Sequence, residues 1–399
     1  MLKRMSFIAL FSAAALSACS RPSVPAAPAI AEVKSPAGSG SEEPNLSVAP
    51  DGRVFMSWLE PASKGYTLLF SVREKQGEWS APRTIARGDN WFVNAADFPS
   101  MAVMPDGSLA AHWLGNNEPG SEAYDINIAL SRDGGASWSQ PLTPHRDRKP
   151  RQHGFASMLP MADGSLGVIW LDGRQTNEEG EGNMSLLYTA LAPDGKIGEE
   201  QVLDDRVCDC CQTSATATPE GVLVAYRDRT ENEVRDISLV RYNNGQWSRP
   251  ESLSKDGWEI DACPVNGPAI SSNGKNVAVA WFTGANDQLR VQVVLSTDSG
   301  KTFGNPVRVD EGKPLGHVDV VSLPSGGAFV SWIERTDQGS QVHVRPIDAM
   351  GNPQPPTPVS AAAVKTSGVP RLKLSGNQAV IAWTDAETPS HVRTATLKF

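Results

Sequence analysis

Residues 104–113 read MPDGSLAAHW: a Pro-Asp-Gly turn, then apolar residues running to Trp113. Alternation of this kind after a turn signal is the mark of a half-buried strand. The unit recurs. It is APDGRVFMSW ending at Trp58, MADGSLGVIW at Trp170 and TPEGVLVAY at Tyr226. It continues as SSNGKNVAVAW at Trp281, LPSGGAFVSW at Trp332 and LSGNQAVIAW at Trp383. The intervals between the aromatics are 55, 57, 56, 55, 51 and 51 residues. A period in this range points to a propeller or another repeat array. Each copy has a short apolar run before the turn and one or two after the aromatic, so about four strands. A single four-stranded sheet cannot bury both faces, whereas a ring of them can. The expectation is an all-β, seven-bladed β-propeller of four-stranded antiparallel blades, with six blades as the alternative. The repeated aromatic belongs between neighbouring blades.

Composition agrees. Of 399 residues, 35 are Gly and 30 Pro, a turn-rich balance, and 11 Trp stand against 5 Tyr. The 36 basic and 45 acidic side chains give a net charge of −9, without basic runs. Nucleic acid is therefore not an expected partner, because its binders carry a positive footprint.

The N-terminus reads as an export signal. Lys3 and Arg4 precede an apolar stretch over residues 5–16, followed by Leu16-Ser17-Ala18-Cys19. This tetrapeptide resembles the bacterial lipobox, which implies a signal peptide over 1–18 and lipidation of Cys19. Ser20, in place of aspartate, implies by the same resemblance the outer membrane of a Gram-negative bacterium, facing the periplasm. The lipid anchor is then the only membrane contact. Residues 19–42 read as the lipidated cysteine and a Pro/Ala/Ser/Gly-rich tether. The last repeat shows only three strands, so Ala29–Val33 within that tether is the candidate for a closing fourth. The propeller is assigned to 43–399.

Two segments fit S-x-D-x-G-x-[ST]-[WF]: Ser131, Asp133, Gly135 and Trp138 in one, Ser296, Asp298, Gly300 and Phe303 in the other. The carboxylate accepts turn amides, glycine takes positive φ, and the aromatic buries beneath the loop. This resembles the Asp-box, or BNR, repeat of the sialidase superfamily of β-propellers, in which the box is structural. Sialidases of that superfamily bind a substrate carboxylate with three arginines and use a late tyrosine as nucleophile. This chain has no F/Y-R-I-P segment, and no tyrosine follows Tyr242. Enzyme activity is left undecided, with the catalytic residues unknown.

Besides Cys19 the cysteines are Cys208, Cys210, Cys211 and Cys263, each group preceding a first strand of consecutive repeats. Propeller topology brings such points together near the channel mouth. Similar C-x-C-C and C-P-V-x-G-P segments occur in exported Asp-box propellers, a resemblance that assigns no chemistry. Two disulfides fit an oxidising compartment, and a bridge within the 208–211 run would be strained and more easily reduced. A thiolate site for copper or zinc and a redox-active dithiol remain alternatives.

Other polar residues map to the same rim: Asp97, Arg151, His153, Asp172, Arg174, Arg227, Asp261, His317, Asp319 and Arg371. They make a charge-mixed mouth suited to an anionic or sugar-like ligand, or a metal, with the two histidines as metal-ligand candidates beside the thiols. The leading expectation is a lipid-anchored envelope module binding a small molecule or glycan at that mouth. A divergent sialidase-like glycoside hydrolase, using carboxylates among Asp97, Asp172, Asp261 and Asp319, is one alternative. A scaffold for an envelope protein complex is the other.

Overall fold

In a computed structural model of the chain, which describes residues 28–75, 77–177, 181–360 and 363–398, seven antiparallel sheets form a ring. The count is seven, not six. Helix is confined, among the described residues, to one turn at Ala285–Asp287. The innermost strands are Glu42–Val48, Ser100–Val103, His153–Pro160, Ser214–Thr218, Ala269–Asn273, Pro314–Ser322 and Arg371–Ser375. Blade 2 holds three strands, its fourth reduced to the single bridge Ile128↔Leu142. Blade 4 replaces its outer strand by two short pieces, Gln246–Trp247 and Glu251–Ser252.

Blade 7 is closed from the other end of the chain. Ala29–Val33 pairs antiparallel with Val392–Lys398, Ala29 opposite Lys398 and Val33 opposite Thr394. The ring therefore takes in part of the segment read as a tether. Thr394 Oγ1 donates to the Val33 carbonyl at 2.9 Å, and Trp79 Nε1 of blade 1 donates to Thr394 Oγ1 at 3.2 Å.

Each repeated aromatic packs against the blade before it. Trp113 sits with Leu59, Leu68 and Phe70 of blade 1, Trp170 with Leu114 and Ile126 of blade 2, and Tyr226 with Ile169 and Leu186 of blade 3. Trp281, Trp332 and Trp383 repeat this around the ring, and Trp58 closes it against Val380, Ala382 and Val392 of blade 7. A buried indole N–H needs an acceptor. Trp58, Trp170 and Trp332 each find it two residues on, in Glu60, Asp172 and Glu334, at 2.8, 2.8 and 2.6 Å.

The first strand of each blade runs inward from the mouth, so the first-to-second and third-to-fourth turns lie at the opposite end. The Ser131 and Ser296 segments are third-to-fourth turns with one bonding pattern. Asp133 accepts from the Ser131 hydroxyl, the Ser137 amide and the Ser137 hydroxyl at 2.8, 2.9 and 2.6 Å. Asp298 does the same with Ser296 and Thr302 at 2.7, 3.0 and 2.6 Å. These bonds hold both carboxyls well below the usual carboxylate range. Gly135 must lack a Cβ, which would stand 2.3 Å from Phe70.

A chain beginning at Lys34 lacks the closing strand and leaves the Val392–Lys398 edge open. Against a chain beginning at Pro25, it is expected to lose about 2–4 kcal/mol, several net hydrogen bonds at ~1 kcal/mol each. Urea unfolding followed by tryptophan fluorescence measures this, and an unchanged midpoint removes closure as a support of the ring.

Candidate functional site

At the mouth, loops of blades 2 and 3 and those leading into blades 4 and 5 enclose a cleft of 810 Å³. Its walls carry Phe92, Asn94, Glu118, Glu122, Tyr124, Arg151, Gln152, Asn177 and Asp209, together with Cys210 and Cys263. A narrower cavity of 380 Å³ follows the central channel past Asp97, Gln212, Thr213, Arg371 and Lys373.

The four cysteines do meet. Cys210 is bridged to Cys263, and Cys208 to Cys211. Cys263 is exposed, Cys210 half-buried, and Cys208 and Cys211 are buried. The bridge across 53 residues ties the loop entering blade 4 to the loop entering blade 5, where it stiffens one wall of the cleft. No histidine joins the sulfurs among the described residues: the clustered ligand groups there are cysteines and Asp209 alone.

Of the residues expected at the rim, Arg151 lines the cleft, its Nε donating to the Thr176 carbonyl at 2.8 Å. Asp261 is exposed near Cys263. Several others serve the fold instead. Asp172 is fully buried, gripped by Trp170 and by the Arg174 guanidinium at 2.7 and 2.8 Å. Arg174 also reaches Glu200 at 2.8 Å. Arg227 is buried and donates to three carbonyls, of Asn266, Arg235 and Phe282. It is an interblade tie, with no group turned to the mouth. For Asp172 and Arg227 the physical reason is common: a polar side chain one or two places past a buried aromatic still lies inside the blade stack.

Asp97 and Asp319 bind across blades. Asp97 Oδ1 accepts the Phe155 amide at 2.7 Å, and Asp319 Oδ2 the Leu372 amide at 2.8 Å. Gln212 and Asn266 do the same for the Gly267 and His317 amides at 2.8 and 2.7 Å. Arg371 lies 3.5 Å from Asp319 and over the Phe98 ring. His317, at φ 53°, is set in this ring of bonds, and burial pulls its imidazole down to about 4.

His153 is buried away from the sulfurs. It stacks on His145 with ring centroids 3.9 Å apart and stands 3.3 Å from Asp125 and 3.5 Å from Asp147. Sequence reasoning missed His145, Asp125 and Asp147. It also missed Tyr124, Glu118 and Glu122, although the long polar run GNNEPGSEAY after Trp113 marks that loop.

Tyr124 and Asp97 press together under the cleft. A Cβ on Gly154 would fall 2.0 Å from Asp97 Oδ2 and 2.6 Å from Tyr124 Cε2, so only glycine fits. Burial pushes the Asp97 carboxyl up to about 7, and burial beside Asp97 raises the Tyr124 phenol. Tyr124 is itself stacked on Phe92 at 4.1 Å.

No protein family and no curated protein sequence matches this chain. Among solved structures, the polysaccharide lyase Uly1 is similar at 8% identity over 90% of each chain, with a TM-score of 0.57. An ulvan lyase bound to a GlcA(1-4)Rha3S unit is similar at 12% identity, over 91% of this chain and 95% of that one, TM-score 0.56. An α-L-arabinanase from Penicillium chrysogenum, complexed with arabinobiose, is similar at 11% identity over 94% and 98%, TM-score 0.50. Sialidases match more loosely. At these identities the likeness shows the fold alone.

Asp97 yields a pH prediction with a definite sign. Its folded pKa of about 7 lies above an unfolded value of roughly 4, so the folded state binds the extra proton. Stability is therefore highest below that unfolded value and falls as pH rises toward the folded one. Glu43, also raised to about 7 by burial, acts in the same sense. Asp97→Asn keeps an oxygen for the Phe155 amide and should flatten this decline, measured as urea midpoints across the range. A slope equal to wild type would show that Asp97 is ionised throughout.

Proposed function

We propose that this protein is a lipid-anchored envelope propeller that binds a glycan in the mouth cleft beside the Cys210–Cys263 bridge. The observation that carries this reading is the chemistry of the cleft walls. Asn94, Gln152 and Asn177 offer amides, Glu118 and Glu122 offer carboxylates, and Arg151 offers a guanidinium. Sugar hydroxyls pair with such mixed donors and acceptors, and a guanidinium favours a uronate or sulfate group. The fold it shares with polysaccharide lyases and an arabinanase supports a saccharide as the ligand class.

Calorimetric titration with uronate-containing oligosaccharides tests this. Arg151→Ala should weaken binding of acidic sugars roughly tenfold to a hundredfold. It should lower the unfolding free energy by no more than about 1 kcal/mol, the net worth of its bond to the Thr176 carbonyl. Equal affinity in wild type and variant would move the ligand elsewhere.

A second reading rests on Asp97. A carboxyl with a pKa of about 7 beside Tyr124 is suited to accept and return a proton near neutral pH. Glycan cleavage abolished in Asp97→Asn, with binding retained, would make the protein a glycan-active enzyme.

Copper(I) or zinc at the cysteines would require the four sulfurs reduced, because a ligating sulfur is a thiolate. The anchor rests on Leu16-Ser17-Ala18-Cys19, which lies outside the described residues. Cells fed labelled palmitate should label the wild-type protein, and Cys19→Ser should lose both label and membrane fraction. A labelled Cys19→Ser protein would reject lipidation at this residue.

A further inference from the structure

Two disulfides share one four-residue segment, and they do different structural work. Cys210–Cys263 joins loops 53 residues apart and so removes substantial freedom from the unfolded chain. Cys208–Cys211 spans a separation of three. It closes a loop too short to constrain much, in a segment already held by the Cys208 amide bonded to the Arg227 carbonyl at 3.0 Å. Fold stability therefore gives less reason for the inner bridge than for the outer one.

Its surroundings suggest another role. The outer bridge opens to solvent at Cys263 and faces the cleft. Its inner sulfur, Cys210 Sγ, stands 3.9 Å from Cys208 Sγ of the buried bridge. Arg235, only 3% exposed, points Nη1 at Cys208 Sγ from 3.6 Å. Asp209 and Glu233 hold that guanidinium at 2.8 and 2.9 Å. With its charge balanced by those two carboxylates, Arg235 acts on Cys208 as a fixed N–H donor, which favours the anionic state in which three sulfurs share charge during exchange.

We infer that the four sulfurs form a two-step thiol–disulfide relay, entered at Cys263 by a protein dithiol. In the first step a partner thiolate attacks Cys263 Sγ. The partner–Cys263 bond forms, the Cys210–Cys263 bond breaks, and Cys210 leaves as thiolate. The partner's second thiol gives up its proton and attacks its own bridged sulfur. The partner departs as a disulfide and Cys263 takes a proton, so two electrons have entered this chain. In the second step the Cys210 thiolate attacks Cys208 Sγ. The Cys208–Cys210 bond forms, the Cys208–Cys211 bond breaks, and Cys211 leaves with the electron pair and is protonated. No electrons enter or leave in this step. It carries the reduction inward and leaves Cys211 and Cys263 as thiols. The relay does not require a glycan ligand for the cleft.

The test is a graded reduction of the full chain, using a thioredoxin-fold dithiol protein at rising ratios of reduced to oxidised form. Acid quenching, alkylation and tandem mass spectrometry then locate the free thiols, while tryptophan fluorescence reports folding. The expected intermediate is folded, alkylated at Cys211 and Cys263, and bridged between Cys208 and Cys210. The dithiol protein lacking its resolving cysteine should be trapped as a mixed disulfide at Cys263. Arg235→Gln should slow formation of the intermediate at least roughly tenfold, the loss of one charge-assisted contact, and Arg235→Lys should restore most of the rate. Reduction of the two bridges with no Cys208–Cys210 species at any ratio, or only once the chain has unfolded, would overturn the relay and leave two structural staples.

Discussion

Every blade is a sheet with two apolar faces, and neither can be covered from within the blade. That constraint fixes the ring. Each second strand carries an aromatic set against the preceding blade, so the seven apolar clusters each span a blade boundary. A ring of such boundaries has no natural first member, and the chain must supply its own closure. It does so by pairing Ala29–Val33 with Val392–Lys398 and by bonds from blade 7 to blade 1, such as Ser375 Oγ to the Gly52 carbonyl at 2.6 Å. Near the mouth Lys365 reaches Glu42 at 2.6 Å.

Packing faces together leaves the strand starts to be joined by polar contacts. At the channel mouth that role falls to Asp97, Gln212, Asn266 and Asp319, each accepting an amide of the next blade. A buried carboxylate or carboxamide bonded in this way is poorly placed to take a ligand as well. The innermost circle is thus largely committed to holding the ring, and the open cleft lies outside it, between loops that enter the blades and loops that join second to third strands. Asp97 is the exception in part. Its second oxygen, pressed against Tyr124 where Gly154 makes room, is not bonded to an amide.

The fold was legible because its cause is periodic: turn, alternating strand and aromatic recur whenever a sheet must cover its neighbour. The closing strand was legible for the same reason, as the one missing from the last repeat. The site was harder to read because one loop position serves two ends. In WLD and YRDR, Asp172 and Arg227 follow an aromatic and look like rim residues. Asp172 is required by the Trp170 indole, and Arg227 by three carbonyls between blades. Arg151, which does line the cleft, follows no buried aromatic and instead precedes a first strand. Cysteine pairing was equally closed to inspection, since C-x-C-C allows Cys263 three partners and only the loop path selects Cys210.

The two proposals meet on one surface. Cys210 and Cys263 belong both to the wall of the cleft and to the outer disulfide. A saccharide seated against that wall would cover the sulfur that an incoming dithiol has to reach. Breaking the bridge would in turn release the loop entering blade 5 from the loop entering blade 4, and with it the shape of the wall. Occupancy and reduction therefore act on the same structural element in opposite directions. By linkage, whatever the ligand gains from the bridged wall it returns as resistance of that bridge to reduction.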